Sequence, residues 1–316
     1  MNNRSADIPR RIDRTHGVTP LGPDAQVDNK ALVIPPGNFA LADPFLLLSE
    51  DWFSSPGFEW HPHRGLETVT IVLDGALEHG DNLGSAGVLG PGDVQWMTAG
   101  RGIIHRELAF RNEHAHTLQL WVNLPRSQKM ARTRYQDLRA DTQGVLAAPG
   151  AQVSVISGTG GAGPGGAGTV TGPARNHWPI TGLRIAIEPG AAFTQRLPAR
   201  DRAFLYVLSG RVRAAGRTLA AGDVAWSDPV RAAQFSTQQS STQQSGTQQF
   251  STLELRVPAG DEVATLILFA GQPIGDPVSV GGPFVMNTRA EISQAFNDFH
   301  SGKFGQVPRK ARLKVR

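Results

Sequence analysis

Two short patterns carry the chemistry in this chain: His61-Pro62-His63 and His105-Arg106-Glu107. In each, the outer residues are two apart. Residues i and i+2 of a β-strand point to the same face. An extended backbone at both places would therefore aim two side chains from each into one interior. Two such strands side by side would gather three imidazoles and a carboxylate, a donor set suited to a divalent first-row metal. Parity extends the expectation. Along Leu66 to Leu73 the odd positions Val69, Ile71 and Leu73 are apolar. If that side faces the core, His61, His63 and Glu67 face it too, unless a bulge intervenes. Burying such groups without partners is costly, and a bound cation removes much of that cost.

The elements that position these residues read as β-structure. The chain has 316 residues, enough for two domains. Its 36 glycines and 22 prolines favour a turn-rich β protein. Gly75 and Gly90-Pro91-Gly92-Asp93 mark turns between the two histidine patterns. A hydrophobic share of 40% against 18% charged residues supports packed cores. No cysteine is present, which excludes disulfides, thiolate metal sites and thiol nucleophiles. The formal charge is +4, but arginines are scattered, and the basic run Arg309 to Arg316 reads as a solvated tail rather than a nucleic-acid arm. No direct DNA reader is recognisable. No secretory h-region or bilayer-length apolar run is visible, so a soluble cytoplasmic monomer without membrane contact is expected.

His116 to Asn123 alternates, with Leu118, Leu120 and Val122 on one face and Thr117, Gln119, Trp121 and Asn123 on the other. The second face suits a ligand pocket. His114 and His116 sit in a polar turn and read as surface residues. Residues 139–152 read as a linker. The second half echoes the first: Phe204 to Gly210 matches Thr70 to Gly75, and Gly222-Asp-Val-Ala-Trp226 matches Gly92-Asp-Val-Gln-Trp96. Carrying these offsets across, His61, His63 and Glu67 become Arg196, Pro198 and Arg202, while His105 and Glu107 become Phe235 and Thr237. The second copy is expected to bind no metal. The Gly-rich stretch 157–169 and the Gln/Ser/Thr-rich stretch 236–252 are expected to be flexible loops. Thr288-Arg-Ala-Glu291 is a capping box opening a short helix over 288–301. The expected division is an N-terminal metal-binding domain, 1–138, and a C-terminal domain without metal, 139–316.

The run from Gly57 through His61, His63, Glu67 and Gly75 resembles the first cupin motif, and Gly100-x-Gly102-x2-His105 resembles the core of the second. The longer runs HPHRGLETVTIVLDGALEH, GDVQWMTAGRGIIHRE, LQLWVNLP and GPFVMNT together resemble the pirin family. That resemblance implies an all-β bicupin, two jelly-roll barrels facing each other with a short C-terminal helix. It implies Fe(II), or another divalent first-row metal, held by His61, His63, His105 and Glu107. A generic cupin would use Glu67 as its carboxylate; the pirin pattern uses Glu107, leaving Glu67 to accept a hydrogen bond from a ligand histidine. The resemblance further implies quercetin 2,3-dioxygenase activity on a flavonol-like molecule and dioxygen, with Glu107 accepting the substrate proton. Arg101, Gln119 and Trp121 are candidate pocket residues. The alternative it implies is a metal- or redox-sensing regulator that binds a transcription factor or a metabolic enzyme.

Overall fold

In a computed structural model the described residues are 7–54, 57–161, 168–230 and 249–307. Their regular structure is mostly β-strand, with one long helix, Arg289–His300. None of their helices is long and apolar enough to cross a membrane. The chain divides into two units: Thr19–Thr142 with Ile274–Arg316, here the first unit, and Met1–Val18 with Gln143–Pro273, the second.

The first unit is built on a seven-stranded sheet. In order its strands are Arg134–Leu138, Val94–Thr98, Leu66–Gly75, Ala115–Asn123, Phe45–Phe53, Asn29–Ile34 and Thr19–Pro20. A four-stranded sheet holds Phe58–His63, Ile103–Ala109, Leu77–Asp81 and Ala86–Leu89. Phe53, Val72 and Ala115 of the first sheet pack with Leu77, Leu89 and Ala109 of the second. Two half-apolar sheets bury their apolar faces by packing in this way.

The second unit repeats that order. Its seven-stranded sheet runs Arg14–Gly17, Asp223–Ser227, Arg202–Ser209, Ala264–Gly271, Ile180–Ile187, Ala151–Ser157 and Gly144–Ala148. Its smaller sheet places Ala192–Pro198 beside Phe250–Arg256, as Phe58–His63 lies beside Ile103–Ala109. The duplication read from two short echoes is thus a duplication of strand order. A core of aliphatic side chains, including Val153, Leu183, Leu205, Leu253 and Leu266, joins its two sheets.

Four expectations are corrected here. First, the contact units do not follow the boundary 138/139. The edge position that Arg134–Leu138 fills in the first unit is filled in the second by Arg14–Gly17, which pairs with Asp223–Ser227. The N-terminal segment therefore belongs with the second unit, and the helix Arg289–His300 with the first. Second, residues 139–152 are not a linker, because Gly144–Ala148 and Ala151–Ser157 form an antiparallel hairpin. Third, the Gly-rich stretch is bounded by a short ladder between Thr159–Gly160 and Val170–Thr171, and residues 162–167 lie outside the described residues. Fourth, the Gln-rich stretch overlaps a strand, Phe250–Arg256, while residues 231–248 lie outside the described residues, as do 308–316 of the basic tail.

That strand also corrects the map between the copies. Arg196 faces Thr252 across its ladder as His61 faces His105. The counterparts of His105 and Glu107 are therefore Thr252 and Glu254, not Phe235 and Thr237. The insertion lies between the two echoes and this strand, so an offset measured before it does not hold after it. Arg196 and Pro198 keep their assigned places on Ala192–Pro198, and Arg202 opens the strand matching Leu66–Gly75. Glu254 points outward, exposed, with Arg256 3.2 Å away.

The helix begins as its sequence dictates. Thr288 accepts from Glu291 N, and the Glu291 carboxylate accepts from Thr288 N at 2.8 Å. Its Asp298 accepts from Arg64 Nη1 at 2.9 Å, next to His63 in sequence. The capped helix is thereby tied to the strand that carries two of the candidate ligands.

Candidate metal centre

Phe58–His63 and Ile103–Ala109 are antiparallel neighbours, with His61 directly opposite His105 and His63 opposite Ile103. The spacing of two on each strand does what alternation predicts. The ring centroids of His61 and His105 are 4.3 Å apart, those of His61 and His63 4.9 Å, and those of His63 and His105 5.0 Å. One nitrogen from each of the three lies within 4.8 Å of the others. His105 is fully buried and His63 nearly so.

Their hydrogen bonds fix which nitrogen faces inward. His61 Nδ1 lies 2.7 Å from Glu59 O, and His63 Nδ1 lies 3.2 Å from Pro283 O. A carbonyl oxygen only accepts, so both Nδ1 atoms carry the proton and both Nε2 atoms keep a lone pair. His105 Nδ1 is 3.0 Å from Nε2 of another buried histidine, His79. Its own Nε2 is buried and finds no hydrogen-bond partner among the described residues. Three Nε2 atoms are thus left to one small interior, an arrangement that fits a metal ion.

Burial sets the protonation states. It lowers the pKa of His61, and it pushes His63 and His105 well below the usual imidazole range, with neighbouring histidines adding to the effect. His79 is pushed down to about 3 for the same reasons. The rings are therefore neutral, the form that ligates.

Glu107 is 1% exposed. Its two oxygens accept from Thr70 Oγ1 at 2.7 Å and from Gln119 Nε2 at 2.6 Å. Desolvation raises its pKa, and these two donors oppose the rise. Each carboxylate oxygen has a further lone pair for a cation. Its oxygen falls within 4.8 Å of nitrogens of His79 and His105, whereas the set containing His61 and His63 is completed by His105 alone. His61, His63, His105 and Glu107 thus fall in two overlapping triads that share His105, the second completed by His79. The ladder's one irregularity is an extra residue between Phe58 and His61, while His105 and Glu107 keep regular register with Asp81 and His79.

The parity expectation is corrected. The chain passes from the four-stranded sheet to the seven-stranded one at Arg64-Gly65, between His63 and Leu66. Gly65 has φ +79°, and an added Cβ would lie 2.0 Å from Val285 O, so only glycine fits. Buried Lys129 secures the passage, donating to Gly65 O, Asn123 Oδ1 and Val285 O. Parity counted through this break does not carry over. It is the even residue Thr70 that reaches Glu107. Glu67 is on the opposite face and accepts from Trp96 Nε1 at 3.0 Å and Thr98 Oγ1 at 2.7 Å.

Of the other candidates, Gln119 bonds Glu107, and the Trp121 ring stands 5.1 Å from that of His63. Arg101 has an exposed side chain and is tied by its backbone, its carbonyl accepting from Arg64 Nε at 2.8 Å. His114 is exposed beside Asp74, and His116 stacks on Trp52. His79 is the residue that spacing missed. It lies on Leu77–Asp81 directly opposite Glu107, and only the strand register places it there. A cavity of about 1320 Å³ opens in the second unit among Asn176, Trp178, Arg196 and Phe250. The side chains that could hold a metal ion converge instead in the first unit.

A model of the family Pirin matches residues 35–122, and one of the Pirin C-terminal cupin domain matches residues 182–305. Pirin of Homo sapiens is 38% identical over 265 residues, 83% of each chain. The chain belongs to the pirin family. A protein from Geobacillus kaustophilus of known crystal structure is 37% identical and covers 86% of this chain with all of its own, 100%, at a TM-score of 0.74. A quercetin 2,3-dioxygenase from Acinetobacter baumannii is 28% identical, with coverage of 95% and 100% and a TM-score of 0.76. The strand order found in both units is therefore that of a two-cupin pirin.

Proposed function

We propose that this pirin-family chain is a mononuclear non-haem iron protein that oxygenates a flavonol, as a 2,3-dioxygenase of the quercetinase type. The observation that carries the reading is the convergence of three inward Nε2 atoms beside a buried carboxylate. The likeness to the Acinetobacter baumannii enzyme supports the substrate class. His61, His63, His105 and Glu107 would hold the ion. When bound, Fe(II) supplies a Lewis acid and a one-electron partner for dioxygen.

The chain's own residues then have distinct tasks. The neutral imidazoles present lone pairs without prior loss of protons at neutral pH. Thr70 and Gln119 hold Glu107 by both oxygens, which fixes its plane. Glu107 takes the proton of the flavonol hydroxyl at a carboxylate oxygen, and its desolvation favours keeping that proton. Trp121, packed against His63, offers an aromatic wall for a planar substrate.

Oxygen uptake is the test. Iron-loaded protein supplied with a flavonol in air should consume dioxygen and release carbon monoxide, and the chelated protein should do neither. Fully iron-loaded protein that consumes no oxygen with any flavonol tried would replace this reading with that of a protein-binding regulator.

A further inference from the structure

We propose that His79 is a positioning residue that holds the His105 ring with its Nε2, rather than its Nδ1, offered to the metal. This rests on the reading of His61, His63, His105 and Glu107 as ligands. The ligand histidines differ in what locks them. His61 and His63 are fixed by backbone carbonyls of Glu59 and Pro283, which can only accept. His105 has an imidazole in that place, His79 Nε2 at 3.0 Å, and an imidazole nitrogen either donates or accepts.

Two neutral arrangements of the pair follow. In one, His79 Nε2–H donates to His105 Nδ1. The His105 proton then sits on Nε2 and blocks it. In the other, His105 Nδ1–H donates to His79 Nε2, and the Nε2 lone pair of His105 is free for the ion. Metal binding requires the second arrangement. The acceptor that makes it available is held rigidly: His79 is 0% exposed, sits on a strand opposite Glu107, and packs its ring 4.9 Å from that of Tyr135. A fixed tautomer at a metal ligand commonly comes from such a partner, and its removal typically weakens metal binding 10- to 100-fold. The same residues form a rival donor set, His79, His105 and Glu107, in which His79 would itself bind the ion.

Cobalt(II) titration of the metal-stripped full chain, followed by its visible ligand-field spectrum, separates these roles. For His79→Phe, affinity should fall about 10- to 100-fold with the wild-type spectrum retained at saturation. For His79→Gln, whose amide oxygen reaches the place of Nε2, affinity should return close to wild type. In zinc-loaded wild type, nitrogen-15 NMR should show the proton of His105 on Nδ1. Unchanged affinity in His79→Phe, or a His105 proton absent from Nδ1, would overturn the inference. A changed spectrum in both variants would make His79 a ligand and overturn it too. Wild type that binds no cobalt would instead sink the metal reading itself.

Discussion

His63→Ala should give a folded protein that no longer holds stoichiometric metal. His63 supplies one of three converging Nε2 atoms from a side chain only 3% exposed, and its Nδ1 is already committed to Pro283 O. No neighbouring residue on that strand can replace it: Pro62 has no donor, and Arg64 is bonded to Arg101 O and Asp298. The structural loss is smaller. The ring packs against Trp121, and truncating such a side chain costs about 2 kcal/mol. The sheets are joined by aliphatic contacts elsewhere, such as Val72 with Leu77 and Leu89. Metal analysis together with a melting curve reads both effects. Metal content equal to wild type would remove His63 from the ligand set.

The largest kinetic effect is expected at Glu107. Glu107→Gln keeps an oxygen for the metal and the volume of the side chain. It also suits its neighbours: the new amide oxygen accepts from Gln119 Nε2, and Thr70 Oγ1 turns to accept from the new NH₂. What is lost is the ability to take a proton. Iron content should stay close to wild type while kcat falls by about 10²–10⁴, the usual contribution of general base catalysis. Glu67 is not a ready substitute, because it lies on the far face of its strand, bonded to Trp96 and Thr98. Turnover equal to wild type would place the proton elsewhere.

The clustering of His61, His63 and His105 was legible because alternation is local. Two histidines two apart on a strand share a face whatever lies around them, and the same rule placed Gln119 and Trp121 on one side of their strand. Four features needed long-range information. Parity failed between His63 and Leu66 because the chain changes sheets at Gly65, which only the contact with Val285 reveals. His79 was hidden because it is a single histidine whose importance comes from its register with Glu107. The counterparts of His105 and Glu107 were misplaced because the Gln-rich insertion shifts everything after it, and the ladder Arg196 to Thr252 restores the count. The boundary between units failed for a related reason, since an N-terminal strand completes the sheet of the second cupin. Of the stretch 236–252, expected to be a flexible loop, residues 236–248 lie outside the described residues.

The most direct measurement of the central claim is anomalous X-ray diffraction at the iron edge from crystals of the iron-loaded protein. One peak per chain is expected, in the first unit, within bonding distance of His61, His63, His105 and Glu107, with His79 held off the metal by its hydrogen bond to His105. A peak bonded to His79 in place of His61 and His63, a second peak beside Arg196 and Thr252, or no peak at the histidines in a fully loaded crystal would contradict the account.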